Sequence, residues 1–162
     1  CDAIVNACNS QMLGCFSTMH ACIDNFIHTY AGVELRLKMH EIMTKQGYEE
    51  ETGKAKITSG YNLPAKYVLH TVGPIIQWKV TQEDENLLAS CYKECLKLAA
   101  DTGVESIAFC CLSTGVFRFP QQRAAEIATE TVMQFLKKDD RIKKVIFNVF
   151  KNEDLEIYSH LL

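Results

Sequence analysis

The sequence predicts a three-layer α/β/α sandwich around a mixed central sheet, on three observations. Segments of strand character alternate with segments of helical period. The late strands, over 106–112 and 144–150, are nearly unbroken apolar runs, as expected of strands covered on both faces. No repeat, low-complexity tract or linker divides the 162 residues, so one domain over 1–162 is expected.

The elements follow in order. Residues 2–6 read as a short apolar strand, and 7–23 as a loop that opens with small residues and carries a Cys/His cluster. Residues 24–46 are helical, with a break near Gly32 and an apolar stripe in the second half from Val33, Leu35, Leu37, Ile42 and Met43. A charged turn at 49–53 precedes two strands, 55–60 and 67–72, joined by a turn around Pro64. Residues 75–83 read as irregular. In 85–100, Leu87, Leu88, Cys91, Cys95 and Leu98 recur at helical spacing, and Gly103 supplies the stop. The strand 106–112 leads into a loop, 113–120, and then a helix, 121–138, with Ala124, Ile127, Ala128, Val132 and Phe135 on one side. The strand 144–150 and a short helix, 155–162, complete the chain.

Composition excludes several classes. Hydrophobic residues make up 48% and charged residues 23%, the proportions of a folded globular chain. The net charge is −3 with no basic block, so nucleic acid is not expected as a partner. No apolar run approaches the ~20 residues that span a bilayer, so no membrane partner is expected either. The first residues lack a basic region followed by an apolar one. With no such signal, the eight cysteines favour reduced, partly metal-bound thiols in the cytoplasm over a disulfide framework. The sequence opens at Cys1, already entering a strand, so a piece of a longer chain is expected.

In α/β sheets, ligands bind outside the carboxyl ends of the parallel strands. Two loops leave strands in that sense. The second, Ser113-Thr114-Gly115-Val116-Phe117-Arg118-Phe119-Pro120, sets hydroxyls and a glycine ahead of a helix. Such a stretch presents backbone N–H groups to a phosphate, although a plain strand-to-helix turn has the same composition. The first loop contains Cys15-x4-His20-x-Cys22, two thiols and an imidazole of the kind zinc prefers. Three protein ligands leave one tetrahedral position open, which is the catalytic arrangement rather than the structural one. His28 and Cys8 are further candidates for that position, less favoured than a water or a substrate hydroxyl. The same three residues are also compatible with buried thiols packed as small hydrophobes. Cys91, Cys95, Cys110 and Cys111 continue apolar patterns and read as core.

Five blocks in order, VNACNS, DNFIHTYAG, TGKAKITSGYNLPAKYVLHTVGP, SIAFCCLSTGVFRFP and AAEIATETVMQFL, resemble a macrodomain, the ADP-ribose-binding module. The first loop, GCFSTMHACIDNFIH, resembles that of the zinc-containing macrodomains of bacteria and fungi. Those are protein mono-ADP-ribosyl hydrolases, often encoded beside a sirtuin-like ADP-ribosyltransferase and a lipoyl-carrier protein. The resemblance implies a zinc-dependent hydrolase that removes mono-ADP-ribose from Asp- or Glu-linked proteins. It places Asn9 and Asp24 at the distal ribose as catalytic residues, with Asn9 also binding substrate. It places Ser113, Thr114, Gly115, Val116, Phe117 and Arg118 around the diphosphate, Phe117 and Phe119 as pocket walls, and Phe150 at the adenine. Zn2+ would sit on Cys15, His20 and Cys22, as Lewis acid on a ribose hydroxyl or as activator of water. Each role has a plainer counterpart: Asp24 as a helix N-cap, Asn9 as a loop residue bonding its own backbone, Arg118 as a solvated side chain. Asn6 and His28 read as supports.

Three features depart from the family pattern. Cys8 replaces an alanine, Thr18 stands where the zinc subgroup has proline, and no N-terminal strand with its adenine-binding aspartate is found. The competing functions are an ADP-ribose reader without turnover, an O-acetyl-ADP-ribose deacetylase and, disfavoured by the macrodomain blocks, a redox or zinc-sensing module with exposed, reactive cysteines.

Overall fold

The computed structural model describes residues 1–17 and 19–162; the proline-to-threonine departure at Thr18 lies outside the described residues. Ten elements alternate along the chain. They are β1 (Ala3–Cys8), α1 (Ile23–Ala31), α2 (Val33–Gln46), β2 (Ala55–Ser59), β3 (Tyr67–Val72), α3 (Gln82–Asp101), β4 (Ser106–Phe109), α4 (Gln121–Leu136), β5 (Lys144–Phe147) and α5 (Asn152–Leu161). The strands form one sheet in the order β2-β3-β1-β4-β5. β2 runs antiparallel to β3, and the remaining neighbours are parallel, which is the expected mixed sheet.

Helices cover both faces. On one, Ile27 and Ala31 of α1 and Leu35 and Met39 of α2 pack on Val68 and Val72 of β3 and on Cys8. On the other, Leu88, Tyr92 and Leu96 of α3 and Ala128 and Val132 of α4 meet Val5, Leu69, Ile107 and Phe109. The Tyr92 and Phe109 rings lie 4.9 Å apart, centroid to centroid. Period-two alternation divides β1 between these cores: Ala3 and Val5 face α3 and α4, while Asn6 and Cys8 face α1 and α2.

Several expected boundaries shift. The stretch 75–83 is irregular only to Thr81, where a capping box starts α3: Asp84 N–H donates to the Thr81 hydroxyl, and Thr81 N–H to the Asp84 carboxylate. The strands expected over 106–112 and 144–150 end at Phe109 and Phe147, so Cys110 and Cys111 join a loop and Phe150 ends no strand. The helix break falls at Gly32, as read from the sequence.

The parallel strands bring their carboxyl ends to one edge. The loops 9–22, 73–81, 110–120 and 148–151 therefore emerge together.

Candidate functional site

The loop after β1 is shaped by Asn9. Its Oδ1 accepts from the N–H groups of Gln11 and Met12, both at 3.1 Å, and its Nδ2 donates to the Gly14 carbonyl at 3.2 Å. These are the local backbone bonds of an Asx-type turn. Gly14 then turns the chain at φ +92°, and a Cβ there would meet the His28 ring at 3.0 Å and Arg36 at 3.2 Å. Glycine thus lets the loop lie directly on α1 and α2.

Beyond Gly14 the loop gathers its sulfur and imidazole groups. Cys15 Sγ lies 3.2 Å from His20 Nδ1, and donor atoms of Cys15, His20 and Cys22 all fall within 4.8 Å of one another. A tetrahedral zinc ion with ordinary bond lengths needs S···N near ~3.6 Å and S···S near ~3.8 Å. All three residues are half-buried, and the donor set of two thiols and an imidazole fits zinc. The His20 ring pulls the Cys15 thiol pKa below its ordinary value, whereas burial pushes that of Cys22 up. Cys22 has a second task as the N-cap of α1, its Sγ accepting from the Asn25 N–H at 3.4 Å. Asn25 Nδ2 also donates to the Cys15 carbonyl, tying loop to helix. His28 and Cys8 stand apart from this cluster. His28 is held by Asp24, and Cys8 donates to the Asn6 carbonyl. Among the described residues, Cys15, His20 and Cys22 are the three side chains that could hold a metal ion here.

Asp24 is not the N-cap considered for it, because Cys22 is; it is the second residue of α1 and 4% exposed. Its Oδ1 accepts from Asn6 Nδ2 at 2.8 Å and lies 3.2 Å from His28 Nδ1. The same His28 nitrogen is 3.1 Å from the Asp24 carbonyl, so it faces two acceptors and carries the proton. Nε2 of His28 is buried without a partner.

The loop after β4 is bent by two residues in the left-handed region, Ser113 at φ +63° and Arg118 at φ +62°. Its internal bonds lie at the far end, with Arg118 N–H donating to Gly115 O and Phe119 N–H to Ser113 O. Among the described residues, the N–H groups of Gly115, Val116 and Phe117 donate to no protein acceptor. Such a run suits an anion. Ser113 is buried beneath Gly73, where a Cβ would stand 2.0 Å from the Ser113 hydroxyl. The Thr114 hydroxyl donates to the Cys111 carbonyl.

The matching family model is the Macro domain, over residues 5–128. The chain belongs to the Macro domain family. It is similar to a protein-ADP-ribose hydrolase of Treponema medium, 59% identical over 161 residues, covering 99% of this chain and 62% of that protein. It is also similar to a protein-ADP-ribose hydrolase of Staphylococcus aureus (strain MRSA252), 58% identical over 159 residues and covering 98% of this chain and 60% of that one. The chain thus spans about three fifths of the length of these relatives. Among solved structures, the Oceanobacillus iheyensis macrodomain with ADP superposes at a TM-score of 0.88 with 39% identity, covering 98% of this chain and 81% of that one.

In this macrodomain the residues expected at the site fall into three groups. Cys15, His20 and Cys22 converge, with Asp24 just beyond on the same helix end. Ser113, Thr114, Gly115, Val116 and Phe117 form the second loop, and Arg118 and Val116 also border an outer groove of about 350 Å³ with Ile75 and Trp78. Phe119 does not wall a pocket: at 2% exposure it belongs to the core. Phe150 is 98% exposed in the loop after β5. The sequence reading took Asn6 as a support but missed its partners beneath the site. Asn6 and His70 are wholly buried within apolar strands, and Thr58 is buried beside them. The available signal was a polar residue inside a strand of a covered sheet, the informative exception to burial rules.

Proposed function

We propose that this macrodomain is a hydrolase that releases mono-ADP-ribose from modified proteins, with zinc on Cys15, His20 and Cys22 as part of its site. The observation that carries the reading is the position of Cys22. It is both a candidate ligand and the N-cap of the helix whose second residue is Asp24, so a metal and a carboxylate would meet at one helix end. The names of the relatives supply the reaction class.

The bond in question joins C1 of the distal ribose to the carrier, most simply through a carboxyl of Asp or Glu. Water attacks C1, the C1–O bond to the carrier breaks, and the bond's electrons leave with the carrier carboxylate. The water's proton passes to Asp24, held by Asn6 and His28 as an acceptor. The N–H groups of Gly115, Val116 and Phe117 would hold the diphosphate, and Phe150 offers an exposed ring to the adenine. A bound zinc ion would supply Lewis acidity to a ribose hydroxyl or to the water. Asn9 would act through the loop it shapes. A lipoyl-carrier protein as substrate, a sirtuin-like transferase as the enzyme installing the mark and a cytoplasmic setting are proposed with it; all eight cysteines are free thiols.

The test is release of ADP-ribose from a protein mono-ADP-ribosylated on acidic residues, with zinc loaded, after chelation and for Cys22→Ala. Loss in both treated samples, with the circular dichroism spectrum retained, supports the zinc site. Undiminished release would remove zinc from the mechanism. One observation favours a second reading: with Asp24 4% exposed and the polar atoms of Asn9 engaged in their own loop, a reader that binds without turnover fits the same geometry. ADP-ribose binding with no release under any condition would establish that reading instead.

A further inference from the structure

A line of buried polar side chains runs under the site across three adjacent strands: Thr58 on β2, His70 on β3 and Asn6 on β1, ending at Asp24 on α1. The proton positions along it follow from its chemistry. An ionised carboxylate only accepts, so the Asn6 atom 2.8 Å from Asp24 Oδ1 is the amide nitrogen. That nitrogen has two hydrogens. One goes to Asp24, and the other faces Nδ1 of His70 at 3.4 Å. Cys8 Sγ approaches the same Nδ1 at 3.7 Å. Cys8 gives its one S–H to the Asn6 carbonyl, so the amide decides: its N–H faces Nδ1, Nδ1 is the bare nitrogen and the ring proton is on Nε2. Nε2 then donates to Thr58 Oγ1 at 2.9 Å. Burial keeps the ring neutral, its pKa lowered to about 3. The other tautomer would either set two N–H donors against each other or, with the amide flipped, turn the Asn6 oxygen toward the carboxylate.

We propose that His70 is a positioning residue: held as the Nε2–H tautomer by Thr58, it fixes the Asn6 amide and thereby the orientation of the Asp24 carboxylate toward substrate. This rests on the reading that Asp24 serves ADP-ribose release. It separates the two contacts on Asp24 Oδ1 by origin. His28 grips from the same helix, one turn on, whereas Asn6 reports the state of a ring two elements away.

The test is a pair of variants of the protein. Asn places its side-chain oxygen near the Nδ1 position and Gln near the Nε2 position, so His70→Asn keeps an acceptor for Asn6 and His70→Gln does not. We expect His70→Asn to keep kcat for ADP-ribose release within about threefold of wild type, and His70→Gln to lose roughly tenfold or more, KM and ADP-ribose Kd staying within about twofold in both. A purely structural His70 would lower the Tm of both variants and leave them with equal kcat per folded molecule. Equal kcat for the pair, or a loss confined to KM and ADP-ribose affinity, overturns the proposal. Long-range 15N–1H spectra of the wild-type protein test the tautomer without any variant: the His70 proton is expected on Nε2, and finding it on Nδ1 overturns the proposal. Asp24→Ala separates the two layers. If it releases ADP-ribose at the wild-type rate, the reading beneath the proposal fails. If it is inactive while His70→Gln keeps wild-type kcat, the positioning role alone fails.

Discussion

The two faces of the sheet are built on opposite principles. The face under α3 and α4 is an apolar core of Val5, Leu69, Ile107 and Phe109 against Leu88, Tyr92 and Leu96. The face under α1 carries Asn6, Thr58, His70, Asp24 and His28 in one buried hydrogen-bonded set beside Met12, Leu35 and Met39. Buried polar groups bring little net stability and cost much when left unpaired. Such a set offers instead a defined orientation for Asp24 just under the Cys15–His20–Cys22 loop. The apolar face should therefore govern stability, and the polar face activity.

The sharpest test of that division is Asp24→Ala. It removes the group that both Asn6 and His28 address, and release of ADP-ribose should fall by ~10²–10⁴-fold in a single-turnover assay. Tyr92→Ala is its counterpart on the other face. It empties a fully buried ring site against Phe109, and denaturant unfolding should show a loss of about 3–5 kcal/mol, with turnover per folded molecule unchanged. An Asp24 variant that unfolds the protein but stays active in its folded fraction, or a Tyr92 variant that loses turnover while folded, would break the comparison.

Acid should act through the polar face. The His70 pKa is about 3 in the fold, below its ordinary value of 6.5, because the ring is buried. Between those values the unfolded chain binds the extra proton, so this group's contribution to stability, complete above pH 6.5, is lost as pH falls toward 3. Denaturant melts at pH 7 and pH 5 should show the stability gap between wild type and His70→Asn narrowing at the lower pH. A gap of constant width would mean that the imidazole is not held neutral in the fold.

Most of the fold was legible, for a physical reason. β1, β3 and the amphipathic α3 and α4 bury continuous apolar patterns, and pattern is what sequence displays. The convergence of Cys15, His20 and Cys22 was legible too, since loop residues close in sequence come together without help from the rest of the fold. The partners of Asp24 were not. Asn6 and Asp24 are 18 residues apart, and Asn6 and His70 are 64 apart. Only strand pairing of β1 with β3 brings Asn6 opposite His70. The N-cap was misplaced for a related reason: aspartate is a common cap and cysteine is not, so propensity pointed to Asp24 while the chain used Cys22. The ends of β4 and β5 were overrun because their apolar character continues into the loop, where Leu112 is buried without strand pairing.

The smallest expected effect tests whether the two faces are independent. Arg123 of α4 donates from Nε and Nη2 to both carboxylate oxygens of Glu85 on α3, each at 2.8 Å, and from Nη1 to Glu126. It is the clearest ion pair joining the helices over the apolar face, yet its side chain is 42% exposed. Solvent screening and the entropy of fixing a long side chain leave such a pair worth under about 1 kcal/mol, even with this geometry. Arg123→Ala should lower stability by no more than that, and the difference should shrink in high salt. ADP-ribose release should be unchanged, because nothing in this pair reaches Asn6, His70 or the loop at 113–117. The helices over the apolar face are held by Leu88, Leu96, Ala128 and Val132, and the ion pair fixes only how they meet at the surface. A fall in turnover with stability intact would show that α3 and α4 set the shape of the edge that carries the candidate site, through the loops that precede them at 73–81 and 110–120.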